Sequence, residues 1–308
     1  MEEIAFPVTS TFYDAPTSDG SLSKNNNMSN YRKEFIVKPG SEIRLKHFDA
    51  GYHGKHESHK AALTEIQENL QKMDQLQYLM YAENKHSLLI VLQGLDAGGK
   101  DGVVRHVLTG MNPEGCVSVN FKQPTKEDLA HDFLWRVHPH VPAKGSVAIF
   151  NRSHYEDVLV VRVHDLAPKK VWSKRYDQIN DFERLIATEN NTTILKFFLH
   201  ISKEEQLERF KKRLDDPDRQ WKISDSDYKE REYWGDYIKA FEDVFTNTST
   251  EYAPWFIVPS NHKWFRDLAI SQIIVGQMEE MGMQLPKPTV NIAEIRREYH
   301  QAVNGKKR

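Results

Sequence analysis

The chain has 308 residues, and its 42 Lys and Arg against 44 Asp and Glu leave a formal net charge of −2. This near-neutral balance excludes a globally basic, nucleic-acid-coating protein and an acidic disordered tail, while 39% apolar and 28% charged residues fit a folded chain with a sizeable core. The single cysteine, Cys116, excludes an intrachain disulfide, a CxxC pair and a four-thiolate metal site.

In chain order, the first segment reads as an extension. Residues 10–30 are rich in Ser, Thr, Asn and Asp and nearly empty of aliphatics, so they bury too little to offset their ordering entropy. A flexible extension is expected over 1–34. The start, Met1-Glu2-Glu3, has no basic n-region and no apolar stretch behind it, and the longest strongly apolar run, Leu88 to Leu92, is far too short for a bilayer. A cytoplasmic protein without membrane or nucleic-acid partners is expected. His53, His56 and His59 stand three apart, but they form no HExxH pattern; they predict a solvated helix start and no metal site.

From Ser58 to Ala82, Leu63, Ile66, Leu70, Met73, Leu76 and Met80 recur at three- and four-residue steps and predict one helix with an apolar stripe. The continuous run Leu88–Leu92 reads as a strand buried on both faces of a parallel sheet. Further strands are predicted at 117–121, 147–150, 193–199 and 255–258. Helices are predicted at 101–108, 126–137, 170–189, 202–214, 227–245 and 263–281. Ser202 and Glu205 have the spacing of a capping box. Cys116 opens a strand as a small hydrophobe, and Trp221, Tyr228, Tyr233, Trp234 and Tyr237 are expected to pack. The alternation predicts an α/β protein with a mostly parallel, doubly covered sheet. The domain occupies 35–285, followed over 286–308 by a helix (Ala293–Tyr299) and a basic tail.

The chemistry is carried where the first buried strand meets Gly94-Leu95-Asp96-Ala97-Gly98-Gly99-Lys100-Asp101, a GxxxxGK loop between strand and helix. Glycines let successive N–H groups turn inward onto phosphate oxygens, the helix start adds positive potential, and Lys100 supplies a mobile cation. Gly94, Ala97, Gly98, Gly99, Lys100, Asp101 and Gly102 are therefore expected to bind phosphate. The residue after the lysine is Asp101 in place of the usual Ser or Thr. Asp96 and Asp101 beside a polyanion require a divalent cation between them, so magnesium on Asp96 is expected. For Asp101 a metal role and a helix-start role both stand. At the end of the 147–150 strand follow Asn151-Arg152-Ser153-His154-Tyr155-Glu156-Asp157. Asn151 is a second metal candidate, an amide where such loops commonly place an acid, and Arg152 is placed to reach a phosphate. The run Arg209-Phe210-Lys211-Lys212-Arg213 with Asp215-Asp216-Pro217-Asp218-Arg219-Gln220-Trp221-Lys222 reads as a cationic lid, about 209–235, over the phosphate site.

These three motifs, with the strand APWFIVP (253–259), resemble the polyphosphate kinase 2 family, and within it the class III members, over roughly 35–285. The resemblance implies a three-layer, thymidylate-kinase-like phosphate-loop fold with a helical lid. It implies reversible, magnesium-dependent phosphoryl transfer (manganese can substitute) between inorganic polyphosphate and nucleotides, AMP to ADP to ATP with guanine nucleotides left open, in a homo-oligomer, dimer or tetramer. The family's catalytic positions fall on Asp96, Lys100, Arg152 and Arg213. Its narrower members usually carry Asp at Asn151 and another residue at Glu156, which points to mono- and diphosphate acceptors. Asp101, Asn151, Glu156 and Asp157 are then expected at the nucleotide, with Glu156 also readable as a structural carboxylate. Lys122, Arg162, Arg209, Lys212 and Lys222 are expected along the polyphosphate track. An ATP-dependent nucleoside-monophosphate kinase and a non-catalytic binding module are the alternatives. No NKxD-type segment supports a GTPase.

Overall fold

A computed structural model describes residues 30–56 and 58–305. The extension expected at the N-terminus lies, up to residue 29, outside the described residues, as do the last three basic residues. Five strands form one parallel sheet: β1 (Ser87–Gln93), β2 (Cys116–Asn120), β3 (Val147–Asn151), β4 (Thr192–His200) and β5 (Trp255–Pro259), in the order β2-β3-β1-β4-β5. The helices are α1 (Tyr31–Phe35), α2 (His59–Glu83), α3 (Lys100–His106), α4 (Val160–Val163), α5 (Lys169–Trp172), α6 (Arg175–Glu189), α7 (Lys203–Asp215), α8 (Asp225–Glu232), α9 (Trp234–Thr248), α10 (Lys263–Glu280) and α11 (Ile292–Gly305).

The alternation of side chains along β1 divides the core. Leu88, Ile90 and Leu92 face Ile66 and Met73 of α2, Val103 of α3 and Phe265 and Ile273 of α10, whereas Leu89 and Val91 face Ile179 and Phe182 of α6 and Phe241 and Phe245 of α9. The result is three layers, helix over sheet over helix. Each such side chain, fully buried, contributes about 1.5–3 kcal/mol. Before β1, Tyr31 and Phe35 stack and close edge-on against Phe265, and Val37 donates its N–H to the Trp255 carbonyl at 2.8 Å. No helix among the described residues is long and apolar enough to cross a membrane.

Five expectations change at the level of elements. Residues 126–137 form a short 3-10 segment (Asp128–Ala130) and hydrogen-bonded turns, because Asp128 takes the Thr125 N–H and hydroxyl, both at 2.8 Å, and Asp132 takes the Leu134 N–H. Such local bonds compete with a helix. The 170–189 helix is broken between α5 and α6, and the 227–245 helix at Tyr233 between α8 and α9. Ser202 caps α7 by accepting from the Glu205 N–H, but the Ser202 N–H goes to Asn261 and the Glu205 carboxylate to Arg209, so the box does not close. Of the three histidines only His59 opens α2; His53 and His56 lie beside Trp264.

Candidate active site

Parallel pairing sets Leu92 of β1 opposite Asn151 of β3, so the loop after β1 and the turn after β3 emerge side by side at the carboxyl edge of the sheet. The 94–100 loop needs its glycines. Gly94 and Gly99 have φ of 154° and 104°, and a Cβ on Gly99 would run into the Arg266 guanidinium. Lys100 Nζ donates to the Gly94 carbonyl at 2.6 Å and the Leu95 carbonyl at 3.4 Å. Burial and the neighbouring Arg152 lower its ammonium pKa, against the pull of Asp96, Glu156 and Asp101.

Two contacts tie the motifs together. Arg152 Nη2 lies 3.1 Å from Asp96 Oδ1, and Asn151 Nδ2 donates to Asp101 Oδ1 at 2.8 Å. Arg152 has φ of 60°, and its N–H donates to the Leu92 carbonyl at 3.1 Å. Burial opposes its charge, yet Glu156 and Asp96 hold the guanidinium above its ordinary pKa. Beside this pair opens a cavity of about 430 Å³. Asp96, Arg152 and Glu156 line it together with Asp227, Glu230 and Arg231 of α8, and Leu159, Trp234, Tyr237 and Phe241 supply apolar surface. The lid expected at about 209–235 takes in α8, but none of these α8 residues, nor the α9 aromatics, was named among the expected site residues. Their signal was an acidic and basic run, 225–232, next to aromatics. Tyr237 donates its hydroxyl to Glu230 at 2.8 Å; burial and this carboxylate raise its pKa. Burial also raises Asp227, with repulsion from Asp96 added.

The remaining expected residues have other places. Asp157 is held by Arg175 at 3.2 Å and Arg136 at 3.8 Å and does not line the cavity, and burial raises its carboxyl despite both arginines. Arg162 pairs with Asp243 at 2.6 Å, lies over the Trp172 ring and does not line the cavity. Arg209 is buried behind the loop: it donates to the carbonyls of Ala97 and Gly98 at 2.7 and 3.1 Å, to those of Ser260 and Asn261, and to Glu205. Its donors are thus spent on four backbone carbonyls and the Glu205 carboxylate. Arg213 bonds the Lys222 carbonyl at 3.3 Å and faces Asp227 at 3.7 Å. Lys122, Lys212 and Lys222 are exposed, Lys212 beside Glu208 and Lys222 over Trp221. Lys263, at the start of α10, was not expected. Burial and the nearby Arg209, Arg266 and Arg219 lower its pKa, which marks a local excess of positive charge.

Among the described residues no group of three or more His, Cys, Asp or Glu forms a metal cage. Magnesium needs less: one or two carboxylates, with phosphate oxygens and water completing its shell. Asp96, half-buried in the loop, and Asp101, paired to Asn151, offer that donor set.

Residues 53–286 match the family model described as polyphosphate kinase 2. The chain is similar to the AMP/ADP-polyphosphate phosphotransferase of Meiothermus ruber, 49% identical over 257 residues that span 83% of this chain and 96% of that protein. It is 41% identical over 273 residues to the ADP-polyphosphate phosphotransferase of Rhodopseudomonas palustris, covering 83% and 93% of the two chains. The crystal structure of polyphosphate kinase 2 from Arthrobacter aurescens superimposes with a TM-score of 0.83 at 39% identity, over 86% of this chain and 95% of that one.

Proposed function

The chain belongs to the polyphosphate kinase 2 family, and we propose that it transfers phosphoryl groups between inorganic polyphosphate and nucleoside mono- and diphosphates, AMP to ADP to ATP and the reverse. The observation that carries this reading is the convergence of Asp96, Lys100 and Arg152 beside a cavity of about 430 Å³ that Asp96 and Arg152 line, together with further charged and aromatic residues. That cavity is large enough for a nucleotide. The name of the 49%-identical relative supports both acceptor classes.

Phosphoryl transfer asks the protein for position and for neutralised charge more than for covalent help. Backbone amides of the 94–100 loop and Lys100 hold the donor. The Lys100 ammonium leaves its contacts with Gly94 and Leu95 for phosphate oxygens, which satisfy it better. Arg152 and the cavity walls hold the acceptor, whose terminal phosphate oxygen is already an anion and needs no general base. That oxygen attacks the terminal phosphorus of the polyphosphate; one P–O bond forms, the anhydride P–O bond breaks, and the shortened chain leaves. Asp96, with Asp101 and Asn151 behind it, would hold magnesium, which when bound neutralises phosphate oxygens. The segment from α7 to α8, with Arg213, acts as a lid that excludes water. A cytoplasmic homo-oligomer, dimer or tetramer, belongs to the same reading.

The test is purified protein, polyphosphate and magnesium with AMP or ADP and no ATP. ADP and ATP are expected as products; nucleotide products that form only when ATP is supplied would replace this reading with that of a nucleoside-monophosphate kinase. GMP and GDP in parallel reactions define the base range.

A further inference from the structure

A charged cluster that the transfer chemistry does not touch lies buried between the sheet and α6. Lys196 of β4 and Glu183 of α6 have fully buried side chains and pair at 2.6 Å. The ammonium has three donors and three acceptors: Glu183 Oε2, the Tyr155 hydroxyl at 2.8 Å and the Thr248 carbonyl at 2.7 Å. The other Glu183 oxygen accepts from the Tyr155 hydroxyl at 2.9 Å and lies 3.2 Å from His154 Nε2. Well-packed apolar residues can commonly replace such a pair without loss of stability, because desolvating two ions is expensive. Stability is therefore a weak account of why it is there.

What the cluster grips is more informative. His154 and Tyr155 directly follow Arg152 and Ser153, and Ser153 Oγ accepts from Gln93 Nε2 and from the Tyr155 N–H, both at 3.2 Å. Arg152 itself sits at φ 60°, a left-handed conformation that a non-glycine residue keeps only where its surroundings fix it. One side of that fixation is the Leu92 carbonyl; the other is the buried cluster, reached through Ser153 and Tyr155. We propose that Lys196, Glu183 and Tyr155 are positioning residues: their buried ion pair anchors the turn that holds Arg152 left-handed, with its guanidinium at Asp96 and the cavity. The proposal rests on the functional reading above.

The test is a cycle. Lys196→Met with Glu183→Gln removes both charges and keeps the shapes; it is made in the wild type and in an Arg152→Ala background, and kcat, KM and thermal melting are recorded. In the wild-type background kcat is expected to fall about tenfold or more, with KM for polyphosphate within about threefold and cooperative melting retained. In the Arg152→Ala background the same change is expected to lower the residual rate less than about twofold, since the residue it positions is gone. Equal losses in both backgrounds, or unchanged kcat in the folded double variant, would overturn the proposal. Tyr155→Phe, which loses one hydroxyl, carries the same readouts if the double variant does not fold. Absence of transfer by the wild type itself would indict the functional reading instead. AMP affinity by calorimetry then replaces kcat in the cycle, with weaker binding expected only where Arg152 is present.

Discussion

Lys100 and Arg209 show how two cations of the same neighbourhood do different work. Lys100 touches only carbonyls of its own loop and can exchange them for phosphate; Arg209 spends its donors on four carbonyls and Glu205 and has none to give. Lys100→Ala is therefore expected to lower kcat by about 10²–10³ or more, the usual effect of losing a group that meets developing charge, with the urea midpoint little changed. Arg209→Met is expected to destabilise by about 3 kcal/mol, because buried acceptors and Glu205 lose their partner. Arg213→Met, at a partly exposed pair with Asp227, is expected to change stability by about 1 kcal/mol or less and to lower turnover instead. Urea denaturation and initial rates on the three variants separate these roles. GxxxxGK was legible because its spacing is local and its physics is backbone geometry. Arg209 was misplaced because phosphate ligand and loop clamp look alike until β5 and the loop are seen folded around the same guanidinium.

At the scale of elements, the strands were read within a residue or two, since buried parallel strands are short continuous apolar runs with few alternatives. The helices were harder where polar side chains bond their own backbone, as at 125–134, and where a single apolar stripe continues across a break, as at Tyr233. The lid expected at about 209–235 covered α8, but with the break at Tyr233 unread, the residues it supplies to the cavity, Asp227, Glu230 and Arg231, were not singled out. No residue of α8 is buried, whereas β1 is buried throughout. Amide hydrogen exchange is accordingly expected to be fast over 216–232 and slowest in β1 and β4. Nucleotide and polyphosphate together are expected to slow it over 216–232. Protection there that is already maximal without ligand would argue against a closing segment.

For the molecule as a whole, the strand order places two turns at one edge, and the buried contact of β4 with α6 carries a charge pair whose effect can be read by titration. Burial raises the Glu183 pKa, but Lys196 and the hydrogen bond from His154 outweigh it and leave the carboxyl below its usual value. A carboxyl lowered on folding adds stability above its unfolded pKa, about 4.3, and that stability is lost as the pH falls through the folded value. The wild type is thus expected to lose stability below about pH 4.3 more steeply than Lys196→Met with Glu183→Gln; parallel acid-unfolding curves would contradict the assignment. The pair's role lay beyond sequence reading, since Lys196 in an apolar strand and Glu183 on a helix carry no spacing that announces their contact. The most direct measurement is a ³¹P spectrum followed over time in a mixture of the purified protein, polyphosphate, magnesium and AMP. The polyphosphate end-group and chain signals are expected to change as the β-phosphate of ADP and then the γ-phosphate of ATP appear, with the Arg152→Ala protein far slower. Spectra in which AMP stays unchanged while polyphosphate is cut to free phosphate would contradict the account.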